Sequence, residues 1–369
     1  MKIRVEQSEL SEAIGWTART LPMRPATPVL AGVKITASAD SLQLSAFDLE
    51  VAGQSSVSAV IDEPGVAVVS GRLLADIAKA LPAQPVELAL DGSRVTVRCG
   101  RATFGLPTLP VEDYPALPEI PPLAGEVAAG VFSDAVAQVA IAASRDDTLP
   151  VLTGIRVELT ADSINMAATD RYRLAVRQIP WQSADPSIDQ AALVKAKQLA
   201  DLGRSLGSTD TVRLALGGDD DGRIGFTSAR RELVTRLLSG DFPKYQQLLP
   251  SEAHTVAVTN THDLMESVKR VKLVAAERTT PIRLAFSDGE VLLRAGTGDD
   301  AQASESLECS VEGEPIEIAF NPDYLLDGLG VLGDDSVKLS FTTAMKPAVL
   351  SGAESGDYRY LLMPVRLGG

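Results

Sequence analysis

Histidine is nearly missing from this 369-residue chain: His254 and His262 are its only two. Cysteine is as scarce, and Cys99 and Cys309 stand far apart, so the sequence holds neither a zinc spacing nor a disulfide framework. A single bridge between them stays open, although a reducing compartment disfavours it. Aromatic residues make up 4% against a hydrophobic content of 45%, which assigns core packing to Val, Leu, Ile and Ala. No apolar run reaches the roughly 18–20 residues of a membrane span. The opening MKIRVEQSEL also lacks the apolar stretch of a signal peptide. These absences predict a soluble, cytoplasmic protein with no membrane partner.

Catalytic chemistry is absent in the same way. No Ser or Cys has a neighbouring base. Gly296-Thr297-Gly298 lacks the lysine and following helix of a phosphate loop. Asp219-Asp220-Asp221-Gly222 imitates part of a calcium loop without the spaced ligands or closing Glu, and reads as a hairpin turn. His262 falls at a helix start, where a solvated ring is commoner than a catalytic one. The expectation is no catalytic residue, no cofactor, no metal site and no enzyme.

Positive charge is also short, since 34 Lys and Arg against 49 Asp and Glu leave a net charge of −15. Such a field repels phosphate. It excludes a protein that grips nucleic acid over its whole surface, but not one whose few cations share a single face.

What the chain has instead is repetition. TPVLAGVKITASADSLQLSAFD (27–48) and the stretch ending at Asp170 align without a gap from Pro28/Pro150 to Asp48/Asp170, 122 residues apart. That offset is the size of a domain rather than of a solenoid repeat. A third, more diverged copy begins at Thr280 with TPIRLAFSDGEVLLRAGTGD. Each copy reads as a short strand, an amphipathic helix, a loop ending at a proline, paired strands, a second helix and closing strands. The class is α+β, with two helices and about eight strands per copy. The proline-rich 117–126 and the stretch 248–255 divide the chain into 1–121, 122–251 and 252–369. The first helices are expected to be capped by Ser8, by Ser133, and by Asn260 or Thr261. The second helices are expected over 70–81, 195–206 and 322–331, the last capped by Asn321 with Pro322 at its first position. Hairpin turns fall at Ala39-Asp40 and Asp288-Gly289.

Basic residues gather on these helices. The first helices and their exits carry Arg19, Arg24, Arg145, Lys269, Arg270, Lys272 and Arg278, and the second carry Arg72, Lys79, Lys195, Lys197 and Arg204. Lys and Arg are also simply good helix formers on solvated faces. Recurrence of the bias in all three copies favours a shared cationic surface.

Three homologous α+β copies, with ATDRYRLAV (168–176), SGDFPKYQQLLP (239–250) and YLLMPVRL (360–367), resemble the bacterial DNA polymerase III beta subunit family, the sliding clamps, over essentially the whole chain. The resemblance implies three tandem DNA-clamp domains in each subunit of a head-to-tail homodimer. It also implies a closed ring with helices inside and sheets outside, and double-stranded DNA passing through it. It assigns Arg24 and Arg72 to the duplex, with Lys79, Lys195, Lys197, Arg204, Lys269 and Arg278 as further lining residues. Asp146 departs from the neutral or polar residue expected at a DNA contact.

The resemblance further implies a groove between the second and third domains for short motifs. The partners that carry such motifs would be the replicative DNA polymerase alpha subunit, the clamp loader, other polymerases and repair proteins. Its walls would be Leu152, Thr169, Arg171, Tyr172, Arg173 and Leu174, then Pro243, Gln247, Leu248, Met345 and Pro347. The C-terminal strand would add Leu361, Met363, Pro364, Val365, Arg366 and Leu367. Leu, Met and Pro supply adaptable apolar area, and Arg173 with Arg366 would fix peptide carbonyls or carboxylates. Gln247 departs from the arginine of some relatives. The dimer seam would pair Phe104 and Leu106 with Leu273 and Val274, and Arg101 with Asp299 or Glu305. Two other readings stand beside this one: a monomeric three-domain peptide adaptor, and an enzyme whose site is assembled across domains.

Overall fold

The computed structural model describes residues 1–38, 41–207, 210–218, 222–275, 280–296, 301–354 and 356–366. Among them are six α-helices: α1 Gln7–Thr17, α2 Gly71–Ala80, α3 Ala129–Ala140, α4 Ala196–Gly203, α5 Thr261–Val271 and α6 Pro322–Gly330. Two fall in each repeat, as the periodicity predicts. In α1, Leu10, Ala13, Ile14 and Thr17 are buried at the i, i+3, i+4, i+7 spacing of a single face. Burying one such Leu or Ile stabilises by about 1.5–3 kcal/mol, and Ile14→Ala would cost about 2–5 kcal/mol.

The predicted caps divide by repeat. Asn260 accepts a hydrogen bond from the Asp263 N–H, and Asn321 accepts from the N–H groups of Asp323 and Tyr324 above Pro322. Each supplies a partner to an amide that the helix itself leaves open. Ser8 and Ser133 do not cap. The first helix begins at Gln7 behind Glu6, whose side chain makes no cap bond. The third begins at Ala129, earlier than predicted, which places Ser133 inside it with its hydroxyl donating to Gly203 O at 3.0 Å. The Asp288-Gly289 turn is present, with Gly289 at φ +84, a conformation that favours glycine. Ala39-Asp40 and Asp219–Asp221 lie outside the described residues.

The chain folds as two compact units, each built on one sheet. The first comprises Met1–Gly130, Gln182–Asp185 and Arg204–Leu237, and the second comprises Val131–Trp181, Pro186–Gly203 and Leu238–Gly369. The middle repeat therefore contributes to both. In the first unit, Val51–Ser58 pairs antiparallel with Arg231–Arg236, with Ser55 opposite Arg231 and Val51 opposite Thr235. This joins strands of two repeats into a 14-stranded sheet. In the second unit, Arg173–Pro180 pairs with Tyr358–Leu362, from Arg173 opposite Leu362 to Arg177 opposite Tyr358, within a 12-stranded sheet. Each pairing satisfies two edges that single repeats would leave open. Ile3, Leu10, Ile14, Val33, Leu44, Leu74 and Val97 belong to the main core of the first unit.

Candidate functional site

The candidate site of the second unit centres on the turn Thr169–Arg173. Thr169 Oγ accepts the Arg171 N–H at 3.2 Å and donates to Arg173 O at 2.7 Å. Asp170 Oδ1 accepts the N–H groups of Tyr172 and Arg173 at 3.0 and 3.1 Å. Arg171 is held at φ +78, which costs a residue with a Cβ about 1–2 kcal/mol and turns its exposed side chain outward. Arg173 behaves differently. It is 6% exposed, with Nε on Asp170 Oδ2 at 2.9 Å and Nη1 on Asp327 Oδ2 at 2.5 Å. Its guanidinium lies 4.3 Å from the Tyr324 ring centroid, and Tyr324 stacks on Tyr172 at 6.2 Å. Burial works to lower the Arg173 pKa, but Tyr360, Asp327 and Asp170 outweigh it, so the guanidinium stays charged. The expectation that Arg173 fixes a peptide is thereby corrected: its hydrogen-bonding fork is occupied by two carboxylates of its own chain.

Around this turn lies an apolar floor with an exposed rim. Leu174 and Leu361 are buried with Ala167, Val176, Phe242 and Tyr245. Leu152 and Thr169 are buried as well. The C-terminal segment is pinned by the Met363 N–H on Tyr172 O at 2.9 Å and the Val365 N–H on Ala319 O at 2.8 Å. The rim exposes Tyr172 by 60%, Met345 by 73%, Leu248 by 46% and Met363 by 39%. Pro243, Pro347, Pro364 and Val365 are half-buried, while Gln247 and Arg366 are exposed. Leu367 lies outside the described residues. A neighbouring groove of about 400 Å³ continues from Gln247 and Leu248 past Pro250 to His254, Lys346 and Pro347.

Sequence reading missed Asp170, Tyr324 and Asp327 as supports of this site, and His254 and Lys346 as its extension. Asp170 stood inside the quoted motif. Asp327 had no local signal, because it meets Arg173 across 154 positions.

The basic residues are distributed over both units. In the first, Arg72 Nη2 donates to Pro22 O at 3.1 Å, against the loop that carries exposed Arg24. Lys79 and Arg204 are exposed. In the second, half-buried Lys195 shares a cavity of about 460 Å³ with Arg145, Lys197, Asp147 and Asp327. Lys197 pairs with Asp201 at 2.8 Å and Lys269 with Glu266 at 2.7 Å. Arg278 lies outside the described residues. Hydrogen bonds from the Thr148 backbone and side chain hold the Asp146 carboxyl below its usual range, so it presents a negative charge beside Arg145.

Of the seam residues, Phe104 is 38% and Leu273 83% exposed, whereas Leu106 is 1% exposed and belongs to the core. Arg101, just before the strand of Phe104, is exposed. Val274 is half-buried. Glu305 is engaged by Arg270 and Ser267 at 2.5 Å each, and Asp299 lies outside the described residues.

Comparison with known proteins places the chain. Residues 1–118, 126–244 and 246–366 match the models of the DNA polymerase III beta subunit N-terminal, central and C-terminal domains. The chain is 54% identical over 377 residues to the beta sliding clamp of Streptomyces coelicolor, covering 100% of both. It is 42% identical to the beta sliding clamp homolog GriR of Streptomyces muensis, covering 99% of both. Among crystal structures, a Pseudomonas aeruginosa sliding clamp bound to griselimycin superposes with a TM-score of 0.93 at 28% identity. The Bacillus subtilis clamp superposes with 0.92 at 26%, and both cover 100% of each chain. With three tandem clamp domains matched along nearly its whole length, the chain belongs to the DNA polymerase III beta subunit family.

Proposed function

We propose that this protein is a non-catalytic processivity factor: two copies close head to tail around duplex DNA and tether the replicative polymerase and other motif-bearing partners. The observation that carries the reading is the match of all three clamp-domain models in tandem. The domains run 1–121, 122–251 and 252–369. A head-to-tail ring needs unlike, complementary surfaces, and exposed Phe104 of the first unit and exposed Leu273 of the second fit that need. Arg24, Arg72, Lys79, Lys195, Lys197, Arg204 and Lys269 line the bore. A chain with net charge −15 and basic helices repels DNA elsewhere and binds it weakly within, which suits sliding. Partners dock on the rim of Tyr172, Leu248, Met345 and Met363 over the floor of Leu174 and Leu361, with Arg171 and Arg366 as the peptide-facing cations in place of Arg173.

The test is topological. The protein, loaded on nicked circular DNA, should stay bound until the circle is linearised, and should run in solution near twice 38.9 kDa. Arg24→Ala with Arg72→Ala should weaken loading while the dimer persists. Equal retention on circular and linear DNA, or a monomer in solution, would refute the ring and favour a peptide adaptor.

A further inference from the structure

The first unit contains a cavity of about 540 Å³ that the clamp reading does not use, within the size range of small-molecule sites. One wall is α1, through Glu9, Glu12 and Ala13. A second is the strand segment Ser55–Val57, and a third is Ser205–Gly207 with Asp210. The turn Ser228–Arg231 closes it. Arg231 bridges the walls, donating to the Ser205 carbonyl and to the Glu12 carboxylate. The Trp16 indole N–H donates to Ser205 Oγ at 2.9 Å. These bonds hold the cavity open from two sides.

Three features mark it as a site rather than a packing gap. Ser228 is 4% exposed and its hydroxyl has no hydrogen-bond partner, a state that costs about 1–3 kcal/mol. Ala229 next to it is held at φ +49, and backbone strain of this kind gathers at ligand clamps. Arg230 and Glu9 face each other at 3.9 Å, both largely solvated, a pair too long for a hydrogen bond.

The charges select the ligand. Arg230 and Glu9 stand so close that an anion on Arg230 would sit beside the like charge of Glu9, and a cation on Glu9 beside that of Arg230. A zwitterion re-pairs both. We propose that the cavity binds a small zwitterion carrying an ammonium, a carboxylate and an apolar side chain, as a free amino acid or a dipeptide offers. The carboxylate lies on Arg230 and the ammonium on Glu9, with the side chain against Ala13, Val57 and Leu206. Arg231, committed to Glu12 and Ser205, positions the walls. This site does not rest on the clamp reading.

The chain has only two tryptophans, which makes the test local. Trp16 is bonded to a lining residue, and Trp181 donates to Thr160 O in the other unit. In proton–nitrogen spectra of the full-length protein, L-leucine should move the Trp16 indole signal saturably and leave that of Trp181 in place. Trp181→Phe, which leaves one indole, provides the assignment. N-acetyl-leucinamide, with both charges removed, should leave the Trp16 signal in place, and N-acetyl-leucine and leucinamide, each keeping one charge, should bind more weakly than leucine. Arg230→Ala and Glu9→Gln should each weaken leucine about tenfold. Leucyl-leucine binding more tightly than leucine assigns the site to peptides, and the reverse assigns it to amino acids. A Trp16 signal unmoved by leucine at about 50 mM, where even millimolar sites fill, overturns the proposal. So does an equal response to N-acetyl-leucinamide, or unchanged leucine affinity in Arg230→Ala.

Discussion

The turn at Asp48 in the first unit and the turn at Asp170 in the second share a backbone and differ in what is built on it. Asp48 Oδ1 accepts the N–H groups of Glu50 and Val51 at 2.9 and 2.6 Å, as Asp170 does for Tyr172 and Arg173. Leu49 and Arg171 both sit at φ +78. The Arg236 N–H bonds Glu50 O at 3.0 Å where the Met363 N–H bonds Tyr172 O. The side chains then part. Val51, 5% exposed, occupies the place of Arg173 and needs no counter-charge. Tyr114-Pro115 stands where the second unit has Phe242-Pro243, and the Tyr114 hydroxyl reaches back to Ser45 O at 3.3 Å. The first unit closes its junction with apolar packing and one phenol. The second spans the same junction with an ion-paired arginine and leaves four large apolar side chains at the rim. The two repeats share a scaffold and differ in the side chains set upon it.

The largest expected effect breaks the symmetry of the two turns. Asp170→Ala removes both backbone acceptance and a partner of buried Arg173, and should cost about 3–5 kcal/mol. Asp48→Ala loses only backbone hydrogen bonds and should cost about 1–2 kcal/mol. Urea denaturation followed by fluorescence in a Trp181→Phe background, which reads Trp16 in the first unit, and in a Trp16→Phe background, which reads Trp181 in the second, separates the two. Next, Leu248→Ala with Met363→Ala should weaken a clamp-binding peptide by about tenfold or more, and Leu49→Ala should leave that titration unchanged. An equal loss from Leu49→Ala would place a second docking surface on the first unit.

A pH series sharpens the contrast further. Burial pushes the Tyr114 phenol up to about 12, against a smaller lowering by the Phe47 backbone. The unfolded chain releases that proton near its ordinary value of about 10, so stability present below that pH falls as pH rises from about 10 to 12. Tyr114 is the sole tyrosine of the first unit, so Tyr114→Phe should remove about 1–2 kcal/mol of that dependence from the Trp16-detected transition alone. The smallest effect tests the shared backbone. Arg171→Gly and Leu49→Gly should each stabilise by about 0.5–1 kcal/mol through relief of the left-handed conformation, and unequal values in thermal melts would show that the two turns are not equivalent.

Much of the scaffold was legible because it depends on near neighbours. The 122-residue offset, the α+β class, two helices per repeat and the Asn260 and Asn321 caps all follow from spacing and local hydrogen-bonding chemistry. Ser8 and Ser133 were misread because a serine inside a helix carries the same local signal as a cap, and only the neighbouring backbone decides which it is. The resemblance sets Leu106 beside Phe104 in the dimer seam, and the structure buries Leu106 opposite Val95 in the core of the first unit while Phe104 stays exposed.

Composition, repetition and motif thus determined, without coordinates, the class of protein and its organisation as three tandem repeats. Tertiary structure alone decided that Arg173 belongs to Asp170 and Asp327, that the middle repeat is shared between two sheets, and that a charged cavity opens beside α1. The reason is physical: periodicity and capping are fixed within a few residues along the chain. Ion pairs, sheet edges and cavities depend on groups that only folding brings within a few ångströms.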